Sequence, residues 1–247
     1  MAVIRAVFFD LDGTLVDGEV TWRASVSQTI RALSRRCPGV DPGELESAYY
    51  RAAALVWEVV KDGSPPSWGS MEAECVVREV WAKALERLSV TDQDIVTQAV
   101  TTYYAALGDL GARAYPDVVE CLNNLQDDYQ LGVITNGVAT IQELKICSAG
   151  LARYFKCLAT PEVGSGKPHR PIFEHALKAT GVGSSHSAYV GDSLAWDVRG
   201  ANSAGMVSVW LNRTGVAREC GDPVPNAEIL SLTELPPLLA AMGECEQ

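Results

Sequence analysis

Histidine is scarce in this sequence, and the cysteines lack the spacing of a metal site. Only three histidines are present, and the seven cysteines, at positions 37, 75, 121, 147, 157, 220 and 245, include no Cys-x-x-Cys pair. This pattern argues against structural zinc, and the odd count argues against a complete set of disulfides. We therefore expect reduced cysteines that pack as small apolar residues.

The sequence also lacks a run of about 18 apolar residues, which is what a membrane-spanning helix needs. Its N-terminal stretch has neither the long apolar segment nor the small-residue cleavage site of a signal peptide, so we expect a cytoplasmic protein. Basic residues are in the minority, and the net charge is -11. A field of that sign repels nucleic acids and anionic membranes, so we expect neither as a partner. A small phosphorylated metabolite remains compatible with it, and the oligomeric state is left open.

Short apolar runs alternate with helical patterns in the C-terminal half of the sequence. Strands are predicted at 131–135, 155–160, 187–191 and 206–211, and helices at 138–149, 171–180 and 194–204. A further strand is predicted at residues 4–9. Alternation of this kind predicts the α/β class, with a doubly wound, Rossmann-like parallel sheet.

The region between the first strand and this alternating half has a different pattern. It shows amphipathic helical periodicity near 20–35, 43–61, 70–88 and 91–106. We therefore predict an α/β core formed by residues 1–18 and 109–247, with residues 19–108 inserted as a helical cap. The predicted hinges are residues 16–18 and 108–116, whose glycines allow the backbone to change conformation.

Two aspartates follow the first predicted strand. Residues two apart in extended backbone point to the same side, so Asp10 and Asp12 would face one pocket beyond the strand. A hard divalent cation such as Mg²⁺ prefers oxygen ligands and would relieve the repulsion between them. One carboxylate can then bind the metal while the other transfers protons. The alternative is an acidic turn closed by Gly13.

Three further polar clusters follow later strands. Thr135 and Asn136 offer a hydroxyl and backbone N–H groups that suit phosphoryl oxygens, and Lys167 offers a positive charge. Asp192 would complete a metal site, and Asp197 lies one helical turn further, near the water shell of the metal or Lys167. Taken singly, residues 135–137 are better explained as an Asn-Gly turn and Lys167 as a solvated loop lysine. A helix cap at Asp192 and a favourable dipole contact at Asp197 would explain the two acids.

Taken in order, the four clusters resemble the motifs of the haloacid dehalogenase-like (HAD) hydrolase superfamily, in its branch with a helical cap. The matching segments are 10–14, 135–137, 167–168 and 191–197. The resemblance implies that Asp10 attacks phosphorus and forms an aspartyl-phosphate, while Asp12 protonates the leaving alcohol and then activates water. It also implies magnesium ligation by Asp10, the backbone carbonyl of Asp12 and Asp192, and phosphoryl binding by Thr135, Asn136 and Lys167.

The expected activity is magnesium-dependent hydrolysis of a small phosphomonoester, such as a sugar phosphate or a nucleotide. Asp12 argues against dehalogenases and phosphonatases, which replace the second aspartate. A phosphoglucomutase-type phosphotransferase keeps both aspartates and remains open, as does a non-catalytic binding module on the same fold. Residues 209–215 are similar to N-acylneuraminate-9-phosphatases and related nucleotidases, although a shared core strand and turn would also explain that segment.

Substrate specificity is expected from side chains of the predicted cap. Glu19, Trp22 and Arg23 follow the first motif, where a cap would overhang the site, and Trp68 lies in a segment rich in glycine and proline. The alternative is that the tryptophans pack within the cap and the charged residues form a solvated face.

Overall fold

The structure, a computed structural model, describes residues 3–62 and 73–244 and contains a six-stranded parallel sheet. The strands are β1 (Ala6–Phe9), β2 (Gln130–Ile134), β3 (Cys157–Ala159), β4 (Ser187–Gly191), β5 (Val207–Leu211) and β6 (Ala227–Ile229). Their spatial order is β3-β2-β1-β4-β5-β6, so the first strand of the chain lies near the middle. The predicted α/β fold with a doubly wound parallel sheet is confirmed.

The helices before residue 117 follow one another directly, whereas those after it alternate with the strands. They are α1 (Gly18–Ser34), α2 (Pro42–Asp62), α3 (Ala73–Glu86), α4 (Gln93–Leu110), α5 (Val118–Leu125), α6 (Ala139–Ser148), α7 (Arg170–Thr180), α8 (Arg199–Ala204) and α9 (Leu235–Glu244). A single π-helical turn, Leu194–Val198, precedes α8, and 3₁₀ turns lie at Ala152–Tyr154, Pro161–Val163, Ser184–His186 and Leu232–Glu234. None of the described helices is long and apolar enough to span a bilayer. Three elements, α5, β6 and α9, were not predicted from the sequence.

Side chains of β1 alternate between two apolar layers, as the two-residue period of a strand requires. Val7 and Phe9 join a cluster with α5 and α9, while Ala6 and Phe8 join a second cluster with α7 and α8 on the opposite face. All four residues are fully buried. Burial on both faces is worth about 1.5–3 kcal/mol for each large side chain, and it fixes the strand end from which Asp10 projects.

Helices α1–α4 enclose a third apolar cluster of their own. Its largest fully buried side chain is Trp81 of α3, which packs among residues of α1, α2 and α4. Val138 and Ile141, at the start of α6, belong to the same cluster. The four helices therefore rest on the sheet-bearing part of the chain through the start of α6.

The two segments that connect these helices to the sheet lie side by side. Val16 forms an antiparallel bridge with Ala114, and the N–H of Asp17 donates to the carbonyl of Arg113 at 3.1 Å. The prediction that a linker begins at Gly108 is wrong, because α4 continues through Gly108 to Leu110. The helical hydrogen bonding ends at Gly111, which has a φ of +60°.

Candidate active site

The turn after β1 places Asp10 at the carboxyl edge of the sheet. The N–H of Asp10 donates to the carbonyl of Val190 in β4 at 2.9 Å, and only 7% of Asp10 is exposed. Gly13 has a φ of +85°, and a Cβ there would lie 2.6 Å from Oδ2 of Asp192. The turn therefore requires glycine for its backbone conformation and for the close approach of the two acidic segments.

Three carboxylates meet at this edge of the sheet. One carboxylate oxygen from each of Asp10, Asp192 and Asp197 lies within 4.8 Å of the other two. Asp10 and Asp197 are buried, whereas Asp192 is exposed as a residue. The carboxylate of Asp12 is not part of this described triad.

Lys167 lies between two of these carboxylates. Its Nζ is 2.6 Å from Oδ1 of Asp10 and 2.6 Å from Oδ1 of Asp197, and it donates to the Tyr189 hydroxyl at 2.9 Å. Lys167 is only 3% exposed. Burial alone would lower the pKa of this lysine, but the two carboxylates outweigh that effect and raise it, so the side chain stays charged.

The acidic cluster has more negative charge than Lys167 alone can balance. Burial raises the pKa of Asp10, and repulsion from Asp197 and Asp192 opposes the lowering effect of Lys167. Protein atoms around the Asp192 carboxyl desolvate it, and this effect together with the Asp197 carboxylate raises the pKa of Asp192 to about 6. Oxygen-only donors with unbalanced negative charge fit a hard divalent cation such as Mg²⁺.

Asn136 binds the backbone of Lys167 through its side-chain amide. Its Nδ2 donates to the carbonyl of Lys167 at 3.0 Å, and its Oδ1 accepts from the N–H of Lys167 at 2.6 Å. Both ends of the amide thus bind the backbone of the lysine and fix its position. Thr135 follows β2 and is 2% exposed, with its N–H bonded to the carbonyl of Ala159.

Asp12 is bound by a helix that the sequence analysis did not connect with the site. Nζ of Lys145, in α6, lies 2.8 Å from both carboxylate oxygens of Asp12. Nε2 of Gln142 donates to Oδ2 of Asp12 at 2.9 Å and to Oγ1 of Thr135 at 2.7 Å. The buried amide of Gln142 therefore connects Asp12 with Thr135.

Helices α1 and α2 complete the opposite wall of a cavity of about 850 Å³. The residues of this wall are Gly18, Glu19, Trp22, Arg23, Tyr50, Ala53, Ala54, Trp57 and Glu58. Arg23 forms an exposed ion pair with Glu19 at 2.7 Å, and its guanidinium lies 5.4 Å from the ring centroid of Tyr50. Trp22 donates from Nε1 to the Tyr49 hydroxyl at 3.3 Å, so it is partly used in packing. Trp68 lies outside the described residues.

This arrangement of motifs can be compared with known proteins. The sequence profile of the haloacid dehalogenase-like hydrolase family matches residues 4–205. The chain belongs to this family. That match confirms the family predicted from the four clusters, and it covers strands β1–β4 together with helices α1–α4.

Several relatives that align with this chain over nearly their whole length are named as phosphatases. A glyceraldehyde 3-phosphate phosphatase of Methanopyrus kandleri is 31% identical over 92% of this chain and 93% of its own length. The N-acylneuraminate-9-phosphatase of Homo sapiens is 26% identical over 97% of this chain and 95% of its own length. These relatives support the predicted enzyme class, a hydrolase of phosphoric monoesters.

Solved structures of the family extend the likeness to the whole fold. The 2-haloacid dehalogenase of Pseudomonas syringae pv. Tomato DC3000 superposes with a TM-score of 0.76 and 29% identity, over 97% of this chain and 99% of that one. A dehalogenase with this fold shows that the same architecture supports more than one reaction. The choice between reactions therefore depends on the side chains at the sheet edge rather than on the fold.

The sequence analysis missed several residues that line or support the site. They are Gln142, Lys145, Tyr189, Tyr50 and Trp57. Gln142 and Lys145 are three residues apart on α6 and share one helix face. That spacing points to the site only once α6 is known to follow β2 and Thr135. Tyr189 reads as an ordinary strand residue, and only the tertiary fold brings its hydroxyl to Lys167.

Proposed function

We propose that this protein is a magnesium-dependent phosphatase that hydrolyses a small phosphomonoester through an aspartyl-phosphate on Asp10. The observation that carries the proposal is the buried contact between Asp10 and Lys167 beside two further carboxylates. A lysine held in this way would bind a phosphoryl oxygen next to the carboxylate that attacks phosphorus. Positioning and neutralisation of charge are the main requirements of phosphoryl transfer.

The residues that would hold Mg²⁺ are Asp10 and Asp192, with the backbone carbonyl of Asp12. Asp197 would bind water molecules of the metal and keep Lys167 in place. The ion would supply positive charge against the phosphoryl oxygens. It would also offset the desolvation and the repulsion from Asp197 that raise the pKa of Asp192.

The proposed reaction has two displacement steps at phosphorus. A carboxylate oxygen of Asp10 forms a bond to phosphorus as the bond to the leaving oxygen breaks, and Asp12 gives its proton to that oxygen. Water then attacks the phosphoryl group, gives a proton to Asp12 and breaks the bond to Asp10, which releases inorganic phosphate. Lys167, the Thr135 hydroxyl and the backbone N–H of Asn136 would bind the phosphoryl oxygens throughout.

Helices α1–α4 would act as a cap that selects the leaving group. Their wall of the cavity offers the faces of Trp22, Tyr50 and Trp57, with the charged groups of Arg23 and Glu19 beside them. Aromatic faces suit the C–H surface of a sugar or the ring of a nucleobase, and the charged groups suit its hydroxyl substituents. We therefore propose a sugar phosphate or a nucleotide as the substrate, in keeping with the phosphorylated carbohydrates named in two of the relatives.

The test compares the wild type with Asp10→Asn on p-nitrophenyl phosphate, with magnesium and with a chelator. A neutral amide is a poor nucleophile, so kcat/KM should fall by at least about 10⁴-fold and no phosphoenzyme should form. Rapid acid quench followed by mass spectrometry would locate the phosphoryl group in the wild type. Chelation should abolish activity, and added Mg²⁺ should restore it.

Asp128→Asn is the matched control, because this exposed aspartate precedes β2 at the opposite edge of the sheet. It should hydrolyse the substrate at the wild-type rate. A phosphoryl group on any residue other than Asp10, or full activity in chelator, would refute the proposal.

A further inference from the structure

The Asp12 carboxylate is held by a side chain from another part of the fold. Lys145 lies 133 residues away in the sequence, yet its Nζ contacts both carboxylate oxygens at 2.8 Å. The side chain of Lys145 is only 11% exposed, whereas that of Asp12 is 37% exposed and borders the cavity. Charge-assisted hydrogen bonds of this length are among the strongest that a protein forms.

The surroundings of this pair leave the carboxylate little space for another rotamer. A Cβ at Gly18, the first residue of α1, would lie 1.6 Å from Oδ1 of Asp12 and 3.3 Å from Nζ of Lys145. On the other side, Gln142 donates to Oδ2, and a Cβ at Gly137 would lie 2.4 Å from Cδ of Gln142. Gly18 and the two donors of α6 thus surround the Asp12 carboxylate on its protein side, Gly137 leaves room for Gln142, and the remaining side faces the cavity.

We propose that Lys145 is a positioning residue for Asp12, a role that rests on the proposed function. Lys145 fixes the orientation in which Asp12 gives a proton to the leaving oxygen and takes one from water. A carboxylate that rotates freely spends little time in line with the leaving oxygen, and a misplacement of about 1 Å can cost roughly 10²-fold in rate. Gln142 supports the same orientation and relates it to Thr135 on the phosphoryl side.

Proton donation matters most for a poor leaving group, and this allows positioning to be separated from binding. Phenyl phosphate and p-nitrophenyl phosphate have the same ring, but only phenolate depends strongly on protonation as it leaves. Lys145→Met should slow phosphoenzyme formation from phenyl phosphate by about 10²-fold at saturating substrate, with a much smaller loss for p-nitrophenyl phosphate. KM should change little for either.

A double-mutant cycle gives the second measurement. Once Asp12→Asn has removed the group that Lys145 positions, adding Lys145→Met should have no further effect on phosphoenzyme formation. Lys145→Arg, which keeps the charge and the donors, should recover part of the lost rate. Lys83→Met is the control. Lys83 is likewise a lysine on a helix that pairs with a carboxylate, at 3.0 Å to Glu79, but it lies outside the cavity.

Melting curves recorded for each variant would show whether Lys145→Met folds, and Lys145→Gln would replace it if it does not. Equal losses on both phenyl esters, an effect confined to KM, or full additivity with Asp12→Asn would each overturn this inference alone. A wild-type protein that forms no phosphoenzyme from either ester would overturn the proposed function and the inference with it.

Discussion

The sheet-bearing part of the chain and helices α1–α4 use charge in different ways. Around the sheet, ion pairs join residues far apart in the sequence and are mostly buried: Lys167 with Asp10, Lys145 with Asp12, and Arg213 with Asp117. In α1 and α3, the described ion pairs join residues four apart on one helix and face solvent, as Arg23 with Glu19 does. One exposed pair of that kind also lies on α7, between Arg170 and Glu174.

This difference has an energetic meaning. Exposed pairs one helical turn apart contribute only a few tenths of a kcal/mol and fix no tertiary geometry. A buried pair is costly to break, because the remaining partner keeps its charge without solvent. The sheet edge therefore holds its reactive groups rigidly, whereas the wall formed by α1 and α2 is free to vary its charged residues at little cost.

Among variants that break one of these ion pairs from its basic side, the largest effect should come from Lys167→Met. This change leaves Asp10 and Asp197 without their shared cation and removes the charge that faces the phosphoryl group. We expect kcat/KM to fall by about 10²–10³-fold on every phosphate ester, because the phosphoryl group is common to all of them. Steady-state kinetics on p-nitrophenyl phosphate, a sugar phosphate and a nucleotide would measure this.

Lys178→Met is the control for that variant, since Lys178 is exposed in the last turn of α7, the helix that follows Lys167 in the sequence. Its kinetics should match the wild type on all three esters. A loss confined to one ester in Lys167→Met would show that the lysine recognises the leaving group rather than the phosphoryl group.

A smaller effect, on stability alone, is expected for Asp117→Asn. Asp117 Oδ2 accepts from Nη1 of Arg213 at 2.8 Å, from the Ser231 hydroxyl and from the N–H of Leu232, both at 2.9 Å. Loss of these charge-assisted bonds should lower the free energy of unfolding by about 1–3 kcal/mol at neutral pH. Glu79→Gln, which breaks the exposed pair with Lys83, should change it by less than about 0.5 kcal/mol.

The pH dependence of stability tests whether the effect of Asp117→Asn comes from the charge of the carboxylate. Burial would raise the pKa of Asp117, but the bonds from Arg213, Leu232 and Ser231 outweigh it and lower the pKa. A carboxyl with a lowered folded-state pKa stabilises the protein above its unfolded pKa of about 3.9, and that contribution is lost as the pH falls through the folded value. Urea unfolding should therefore show the difference between wild type and Asp117→Asn narrowing below about pH 4. A difference that is constant with pH would contradict the assignment to charge.

The smallest effect is expected for Arg23→Ala, and it should appear as a change of substrate ranking. Arg23 is exposed, and its guanidinium contacts the carboxylate of Glu19 and the ring of Tyr50. Its removal should alter kcat/KM for the favoured sugar phosphate or nucleotide by about 10-fold and leave p-nitrophenyl phosphate nearly unchanged. Arg78→Ala, which removes a similar exposed pair on α3, should leave the ranking as it is. A uniform loss across all esters would assign Arg23 to packing.

Local sequence was sufficient to predict the groups at the strand ends. Asp10, Thr135, Lys167 and Asp192 each follow or adjoin an element with its own local signal, and a parallel sheet brings such ends together. The pattern of apolar runs also predicted five of the six strands. β6 was missed because it is only three residues long, with Glu228 exposed at its centre.

The contacts that support these groups could not be predicted in the same way. Lys145 reaches Asp12 only because α6 returns along the sheet after β2, and the sequence separation of the pair gives no sign of it. Asn136 was expected to bind phosphate, a prediction that concerned backbone N–H groups, and nothing local indicated that its side-chain amide binds the backbone of Lys167. Such choices depend on where two distant segments meet, which a local pattern does not contain.

The bridge between Val16 and Ala114 has a consequence for how this architecture is assembled. The chain leaves the sheet and returns to it at almost the same point, so nearly a hundred residues are attached without separating any two strands. A short turn between those two residues would close the remaining chain around an unchanged sheet, since closing so small a gap has little entropic cost. We therefore expect the four helices to behave as an exchangeable module. If they select the leaving group as proposed, helices of another sequence should change the preferred substrate while Asp10 keeps its position.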